Sequence, residues 1–106
     1  MSTTFDKREE GFEKKFAHDE ELRFKAYARR NKLLGLWAAG VLGKQTAEAE
    51  AYAKEVVLAD FEEAGDNDVL RKVVKDLEGT GVDEQQVRAK MTELLAQAVQ
   101  QIQTGT

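Results

Sequence analysis

The sequence predicts an all-α protein, a four-helix bundle preceded by a mobile, partly disordered N-terminal segment. None of the 106 residues is proline, the residue that interrupts helices. After residue 20, apolar residues recur at the three- and four-residue spacing of a helix face, and no stretch indicates a strand. Four amphipathic helices joined by short loops can bury their apolar faces only against one another, which is the arrangement of a helical bundle.

The first two helices are expected at about residues 21–42 and 47–64. Gly43 is the expected C-cap of the first, whose C-terminal half is apolar on more than one face and should be the most buried part of the bundle. Thr46 is the expected N-cap of the second, and Gly65 is expected to end it. The predicted buried side chains of the second helix are Ala49, Ala53, Val56, Val57, Phe61 and Ala64.

The third and fourth helices are expected at about residues 68–78 and 84–102. Asp66 or Asn67 can cap the third helix, whose apolar residues follow a period of about 3.6. Before the fourth helix, Asp83 stands three residues ahead of Gln86, the spacing of a capping box. The buried stripe of the fourth helix is predicted to be Val87, Met91, Leu94, Leu95, Ala98 and Ile102. The bundle is thus expected over residues 20–103, with 104–106 as a frayed tail.

Residues 1–19 differ from the rest because their only large apolar side chains after Met1 are Phe5, Phe12 and Phe16. On a helix these three rings fall within about 40° of one another, counting about 100° per residue. Arg23 continues the same line and separates it from the apolar residues of the bundle. We expect this segment to be disordered or frayed alone and to become helical on a partner, with the rings as anchors in a groove.

The charge distribution argues against nucleic acid as a partner. The net charge is −4, but residues 1–32 carry nine basic and seven acidic side chains, whereas residues 33–106 carry seven basic and thirteen acidic ones. Nucleic-acid binding depends on neutralising phosphates, which an acidic body does poorly. The mixed charge of the N-terminal part suits a protein surface of mixed charge.

The sequence offers no assembly for catalysis or metal binding. There is no cysteine and one histidine, His18, which with Glu21 has the spacing of only half of a helical two-metal site. The glycines of "GLWAAGVLGK" lie in a helix and its cap, and they do not match a phosphate-binding loop. We therefore expect neither an enzyme nor a metal site.

Three further features have two interpretations each. Lys25, Arg29 and Lys32 form a basic stripe, either a solvated face in which Glu21 pairs with Lys25 or a secondary docking surface. Asp60 falls within an apolar arc, where it either completes the packing or contacts a small molecule. Trp37 is either a core residue or, with Asp60, part of a pocket for an adenine nucleotide.

The chain is expected to be cytoplasmic. Its N-terminus, "MSTTFDKREE", has no apolar stretch typical of a signal peptide. The longest apolar run, "LLGLWAAGVLG", is shorter than the roughly 20 residues that a membrane-spanning helix needs.

Two long stretches carry a family resemblance. "TTFDKREEGFEKKFAHDEELRFKAYARRNKLLGLWAAGVLG" and "AEAYAKEVVLADFEEAGDNDVLRKV" resemble the zeta subunit of the alphaproteobacterial F-type ATP synthase. The resemblance covers about residues 3 to 98. It implies a four-helix bundle whose N-terminal inhibitory segment enters the interface between catalytic subunits, becomes helical there, and blocks rotation in the hydrolysis direction while leaving synthesis largely permitted.

The resemblance also implies a partner and a set of contact residues. The partner is the F1 catalytic head, with its alpha, beta and gamma subunits, and the chain is expected to be a monomer located at the inner membrane only through that enzyme. The implied contacts in the inhibitory segment are Phe5, Asp6, Arg8, Glu9, Phe12, Lys14 and Phe16. Two alternatives remain open: a helical module that binds an adenine nucleotide or another anion, and an accessory subunit that binds the same enzyme without inhibiting it.

Overall fold

The predicted helices are present in a computed structural model of the chain, which describes residues 20–61 and 67–105. In chain order they are α1, Glu20–Val41; α2, Thr46–Ala59; α3, Asn67–Asp76; and α4, Glu84–Gln103. Across the described residues there is no strand, and the all-α prediction is confirmed. The predicted N-terminal segment, residues 62–66 and Thr106 lie outside the described residues.

The end of α1 follows its local sequence. Gly43 has a φ of 75°, a left-handed conformation that suits a residue without a Cβ. This conformation turns the Lys44 N–H back to the Ala39 carbonyl at 2.9 Å and the Gly43 N–H to the Gly40 carbonyl at 3.1 Å. Those two bonds are the Schellman pattern, so Gly43 ends α1 as predicted.

Both ends of α2 differ from the expectation. Gln45, not Thr46, occupies the N-cap position, and its side chain makes no capping hydrogen bond. At the other end, the N–H groups of Asp60 and Phe61 donate to the carbonyls three residues earlier, at 3.3 and 3.1 Å. Three-residue spacing tightens the backbone, so the described α-helix ends at Ala59 rather than continuing through Phe61. The predicted end at residue 64 and the predicted stop at Gly65 lie outside the described residues.

The start of α4 confirms the capping box. The Asp83 carboxylate accepts from the Gln86 N–H at 2.9 Å, and the Gln86 side chain accepts from the Asp83 N–H at 2.9 Å. Each side chain thereby satisfies a backbone donor that the first turn of a helix leaves without a partner.

Helix α1 is central and packs against all three other helices. One core cluster joins Leu34 and Ala38 of α1 to residues of α2, α3 and α4. A second cluster joins Ala26 and Tyr27, in the first half of α1, to residues in the second half of α4: Leu95 and Val99. Because opposite halves of α1 and α4 meet, the two helices run antiparallel. The C-terminal half of α1 lies in the larger cluster, as predicted.

The buried face of α2 is rotated from the predicted one. Its buried residues are Tyr52, Ala53, Val56 and Ala59. Phe61 was predicted to be buried, and this prediction is wrong because its side chain is 63% exposed. Phe61 follows the tight turn that ends α2 at Ala59, whereas Tyr52, near the middle of α2, is buried.

The closest approach between α1 and α2 occurs at Gly35. A Cβ at this position would lie 2.6 Å from the Ala53 Cα and 3.1 Å from the Ala53 Cβ. No such contact is tolerated between carbon atoms, so any side chain at residue 35 would force the two backbones apart. Glycine is required here for packing rather than for backbone conformation.

We therefore predict that Gly35→Ala destabilises the bundle by roughly 1–3 kcal/mol, the usual cost of overpacking a core. Gly40→Ala is the matched control, because it lies in the same helix and a Cβ there would meet nothing within 4 Å. The control should be neutral or more stable by up to about 1 kcal/mol, the gain in helix propensity. Urea unfolding of the three proteins measures the difference, and equal effects of the two substitutions would contradict the proposed close contact.

Candidate functional site

The residues implied as contacts of the inhibitory segment, Phe5 through Phe16, lie outside the described residues, as does His18. The other predicted site residues fall on α1 and on the end of α2. Their positions and neighbours therefore define the part of the candidate site that the structure describes.

The basic stripe does not form one uniform surface. Lys25 is exposed and its ammonium lies 3.3 Å from the Glu21 carboxylate, which confirms the predicted pair. Arg29 is half-buried, whereas Lys32 is exposed. Lys32 also borders a groove between α1 and α2, so it is the member of the stripe that stands beside an apolar surface.

We call this depression the α1/α2 groove. It has a volume of about 300 Å³ and is lined by Lys32, Glu50, Ala53, Lys54, Val57 and Leu58. Ala53 is buried at its base, and Leu58 is 63% exposed. The groove therefore has an apolar floor and a charged rim, with two lysines and one glutamate.

An exposed aromatic pair lies at one end of the same helix pair. The rings of Phe24 and Phe61 have centroids 6.1 Å apart and an interplanar angle of 36°. They are 58% and 63% exposed, respectively. These separations are typical of attractive aromatic contacts, but more than half of each side chain remains open to solvent.

Asp60 lies beneath this pair. With Phe24, Phe61 and Asn31, it lines a cavity of about 30 Å³, which is room for one or two water molecules. Asp60 is half-buried at the C-cap of α2. The predicted partnership of Asp60 with Trp37 is not seen, because Trp37 lines neither this cavity nor the α1/α2 groove.

Trp37 instead packs against the larger core cluster. It is half-buried, and the Lys90 ammonium lies 5.5 Å from its ring centroid. Lys90 also pairs with Glu93 at 2.9 Å. This arrangement matches the interpretation of Trp37 as a core residue with one open face, covered by a cation.

Two buried polar residues were missed by the sequence analysis. Arg30 and Asn31 are 2% and 1% exposed. The Arg30 guanidinium donates to Asn31 Oδ1 through Nε at 2.9 Å and Nη2 at 2.7 Å, and it lies 5.1 Å from the Tyr27 ring centroid. The Nδ2 amide of Asn31 is a buried donor for which residues 20–61 and 67–105 supply no hydrogen-bond partner. In the polar stretch "RRNK", residues 29–32, nothing in the sequence indicates that Arg30 and Asn31 are interior.

A polar network that the sequence analysis also missed joins α2 to α3. The Tyr52 hydroxyl donates to Asp76 Oδ2 at 2.9 Å. The Lys72 ammonium donates to the same oxygen and to Glu55 Oε1, both at 3.0 Å, and it lies 5.1 Å from the Tyr52 ring centroid. The spacing of Lys72 and Asp76 was visible in the sequence, but their meeting with Tyr52 depends on how the helices pack.

The network shifts two pKa values upward. Burial, followed by the hydrogen bond and charge of Asp76, raises the pKa of the Tyr52 hydroxyl far above its usual range. Burial by itself would lower the pKa of Lys72, but the hydrogen bonds and charges of Glu55 and Asp76 outweigh it, so the pKa is raised. Both groups are therefore held in their protonated forms.

Residues 20–61 and 67–105 contain neither a metal-binding cluster nor a membrane-spanning helix. No group of three or more His, Cys, Asp or Glu side chains there could hold a metal ion. None of the described helices combines the length and the hydropathy needed to cross a membrane.

Comparisons with known proteins find one family model and a solved structure that are similar to this chain. A family model described as ATPase inhibitor subunit zeta matches residues 1–101. A solved structure, titled "Solution NMR structure of the protein", is 58% identical and superposes with a TM-score of 0.74. That match covers 80% of this chain and 99% of the other. A search of curated proteins found no match.

We predict that the stability of the bundle falls as the pH rises above about 10. Tyrosine and lysine in an unfolded chain lose their protons near pH 10 to 10.4, whereas Tyr52 and Lys72 keep theirs longer in the fold. The unfolded state then binds fewer protons, so alkali favours it. Tyr52→Phe should reduce this slope, as measured by urea unfolding between about pH 9 and 11.5. Near pH 7 to 8 the two slopes should coincide, and parallel curves at high pH would contradict the shift of Tyr52.

Proposed function

This chain belongs to the ATPase inhibitor subunit zeta family, and we propose that it blocks ATP hydrolysis through residues 1–19. In this proposal the segment enters the interface between catalytic subunits near the rotor of the F1 head and becomes helical there. It then obstructs rotation in the hydrolysis direction and leaves synthesis largely permitted. The protein would act from the cytoplasm as a monomer, without cofactor or membrane insertion, bound to the alpha, beta and gamma subunits.

The observation that carries the proposal is that the family match starts at residue 1 and so includes the aromatic line. If residues 1–19 are helical, Phe5, Phe12 and Phe16 would share one side of that helix, and Arg23 would follow on the same line. The apolar residues of the bundle do not continue this aromatic line. Such a line is therefore suited to bind in a groove of another protein.

The energies are consistent with this role. Ordering a flexible segment on a partner costs about 2–5 kcal/mol. Burying one large apolar side chain contributes about 1.5–3 kcal/mol, so three rings contribute roughly 5–9 kcal/mol. The surplus is small enough that the loss of one ring should matter. The polar residues Asp6, Arg8, Glu9 and Lys14 would then set the register of the bound helix.

The bundle would support this segment from outside the interface. Helix α1 begins at Glu20, directly after the proposed inhibitory segment, so binding of the segment would hold the bundle close to the same region of the head. Lys25, Arg29 and Lys32 are the candidates for secondary docking. Lys25 and Lys32 are exposed, which makes them available for such contacts.

We predict that Phe12→Ala raises the concentration needed for half-inhibition of ATP hydrolysis by about 10- to 100-fold, because one anchor is lost. The melting temperature of the free protein should remain nearly unchanged. Glu10→Ala is the matched control, because in the proposed bound helix residue 10 would lie on the side opposite the phenylalanines, and it is not an expected contact.

The assay titrates each protein into an isolated catalytic head and follows ATP hydrolysis. Deletion of residues 1–19 should abolish inhibition. If the full-length protein binds the head but does not slow hydrolysis, it is an accessory subunit and the proposal is wrong. A large fall in the melting temperature of Phe12→Ala would instead place the ring in the core of the bundle.

A further inference from the structure

The α1/α2 groove and the Phe24–Phe61 pair form one continuous surface. Val57 lines both the groove and the small cavity beneath the aromatic pair, so the two features adjoin. On α2, Lys54, Val57 and Leu58 follow the spacing of a single face of the helix, and Phe61 lies in the turn that follows α2. On α1, Phe24, Ala28 and Lys32 also follow the spacing of a single face. We call this the docking face.

Exposed apolar residues are concentrated on the docking face. Among the described residues, four large hydrophobic side chains are exposed, and Phe24, Leu58 and Phe61 lie here; the fourth is Val41. Single exposed apolar residues are normal on a protein surface. Two contacting rings next to an exposed leucine and an apolar groove are typical of a surface that binds another protein.

We propose that the docking face binds an apolar ridge, flanked by carboxylates, on the catalytic head beside the entry point of residues 1–19. This inference rests on the proposed function. The tether supplies its first support: Phe24 lies four residues after Glu20, about 6 Å along α1. When residues 1–19 are in the head, the aromatic end of the docking face is held against the surrounding surface.

The charges on the rim indicate the complementary groups. Lys32 and Lys54 outnumber Glu50 around the groove, whereas the nearby Lys25 is matched by Glu21. The net positive rim favours carboxylates on the partner, although residues 33–106 as a whole are acidic. The rim of the groove therefore differs in charge from the acidic rest of the bundle, while Asp60, beneath the aromatic pair, adds one carboxylate to the docking face.

The tether also makes a modest contact effective. Once residues 1–19 are bound, docking of the bundle is intramolecular, and its effective concentration reaches the millimolar range for short connections. A contact that is weak in isolation can then lengthen the lifetime of the complex. Its loss should appear mainly in the dissociation rate.

The test uses the full-length protein with Phe24→Ser and Phe61→Ser, singly and together. Val41→Ser is the matched control, an exposed apolar residue at the other end of α1. Release from an immobilised catalytic head should be about tenfold faster for the double variant and unchanged for the control. Inhibition at saturating protein should remain complete, since residues 1–19 are intact.

Lys32→Gln with Lys54→Gln should weaken binding and reduce its dependence on salt.

Other outcomes overturn the inference. Unchanged release of the double variant shows that the face makes no contact with the head. Tighter inhibition by the double variant would show that the docking face holds residues 1–19 of its own chain. If the variant loses a self-association that the original protein shows in sedimentation, the docking face binds a second copy. Failure of the proposed function is distinguishable, because deletion of residues 1–19 would then leave inhibition unchanged. Circular dichroism and the melting temperature establish that each variant folds, and Phe24→Leu provides a milder substitution if serine does not.

Discussion

The contact between Gly35 and Ala53 determines how closely α1 and α2 pack, and so the shape of the groove between them. Because neither residue has a side chain larger than a methyl group, the two helix backbones approach until a Cβ at residue 35 would lie 2.6 Å from the Ala53 Cα. Longer side chains on either side, including Lys32, Lys54 and Leu58, then project past the contact and form the walls of a groove. The same small-residue contact therefore closes the core and shapes an outer surface.

Polar interactions at the edge of the core and within it secure the helices around that contact. Tyr52, Lys72 and Asp76 join α2 to α3 through hydrogen bonds of 2.9 and 3.0 Å. On α1, the buried guanidinium of Arg30 is held by Asn31 and faces Tyr27. Removing one partner of a buried polar group generally costs more than the bond contributes, because the other partner is left without water. These groups favour one arrangement of helices that are otherwise joined by apolar contacts.

The arrangement separates two tasks that an inhibitor of a rotary enzyme must perform. In the proposed function, residues 1–19 obstruct rotation, and the bundle helps to keep them bound to the catalytic head. A segment that orders only on binding carries an entropic cost, which limits its affinity. A folded bundle with an exposed apolar face can offset that limit, because the tether makes the second contact intramolecular. The exposed pair Phe24 and Phe61 then has a use that the stability of the free protein does not explain.

Local features of this fold were predictable from the sequence, and interior polar residues were not. The capping box of Asp83 and Gln86, the Gly43 terminus and the helical class depend on residues within a few positions of one another. Other features depend on which neighbour each helix face meets. They are the burial of Asn31, the exposure of Phe61, the separation of Trp37 from Asp60 and the need for glycine at residue 35. Periodicity indicates which residues share a helix face but not where the helix ends, and the turn after Ala59 leaves Phe61 exposed while Tyr52 is buried. The sequence alone therefore determined the helices and the family, while tertiary packing decided which side chains are buried and which remain exposed at the surface.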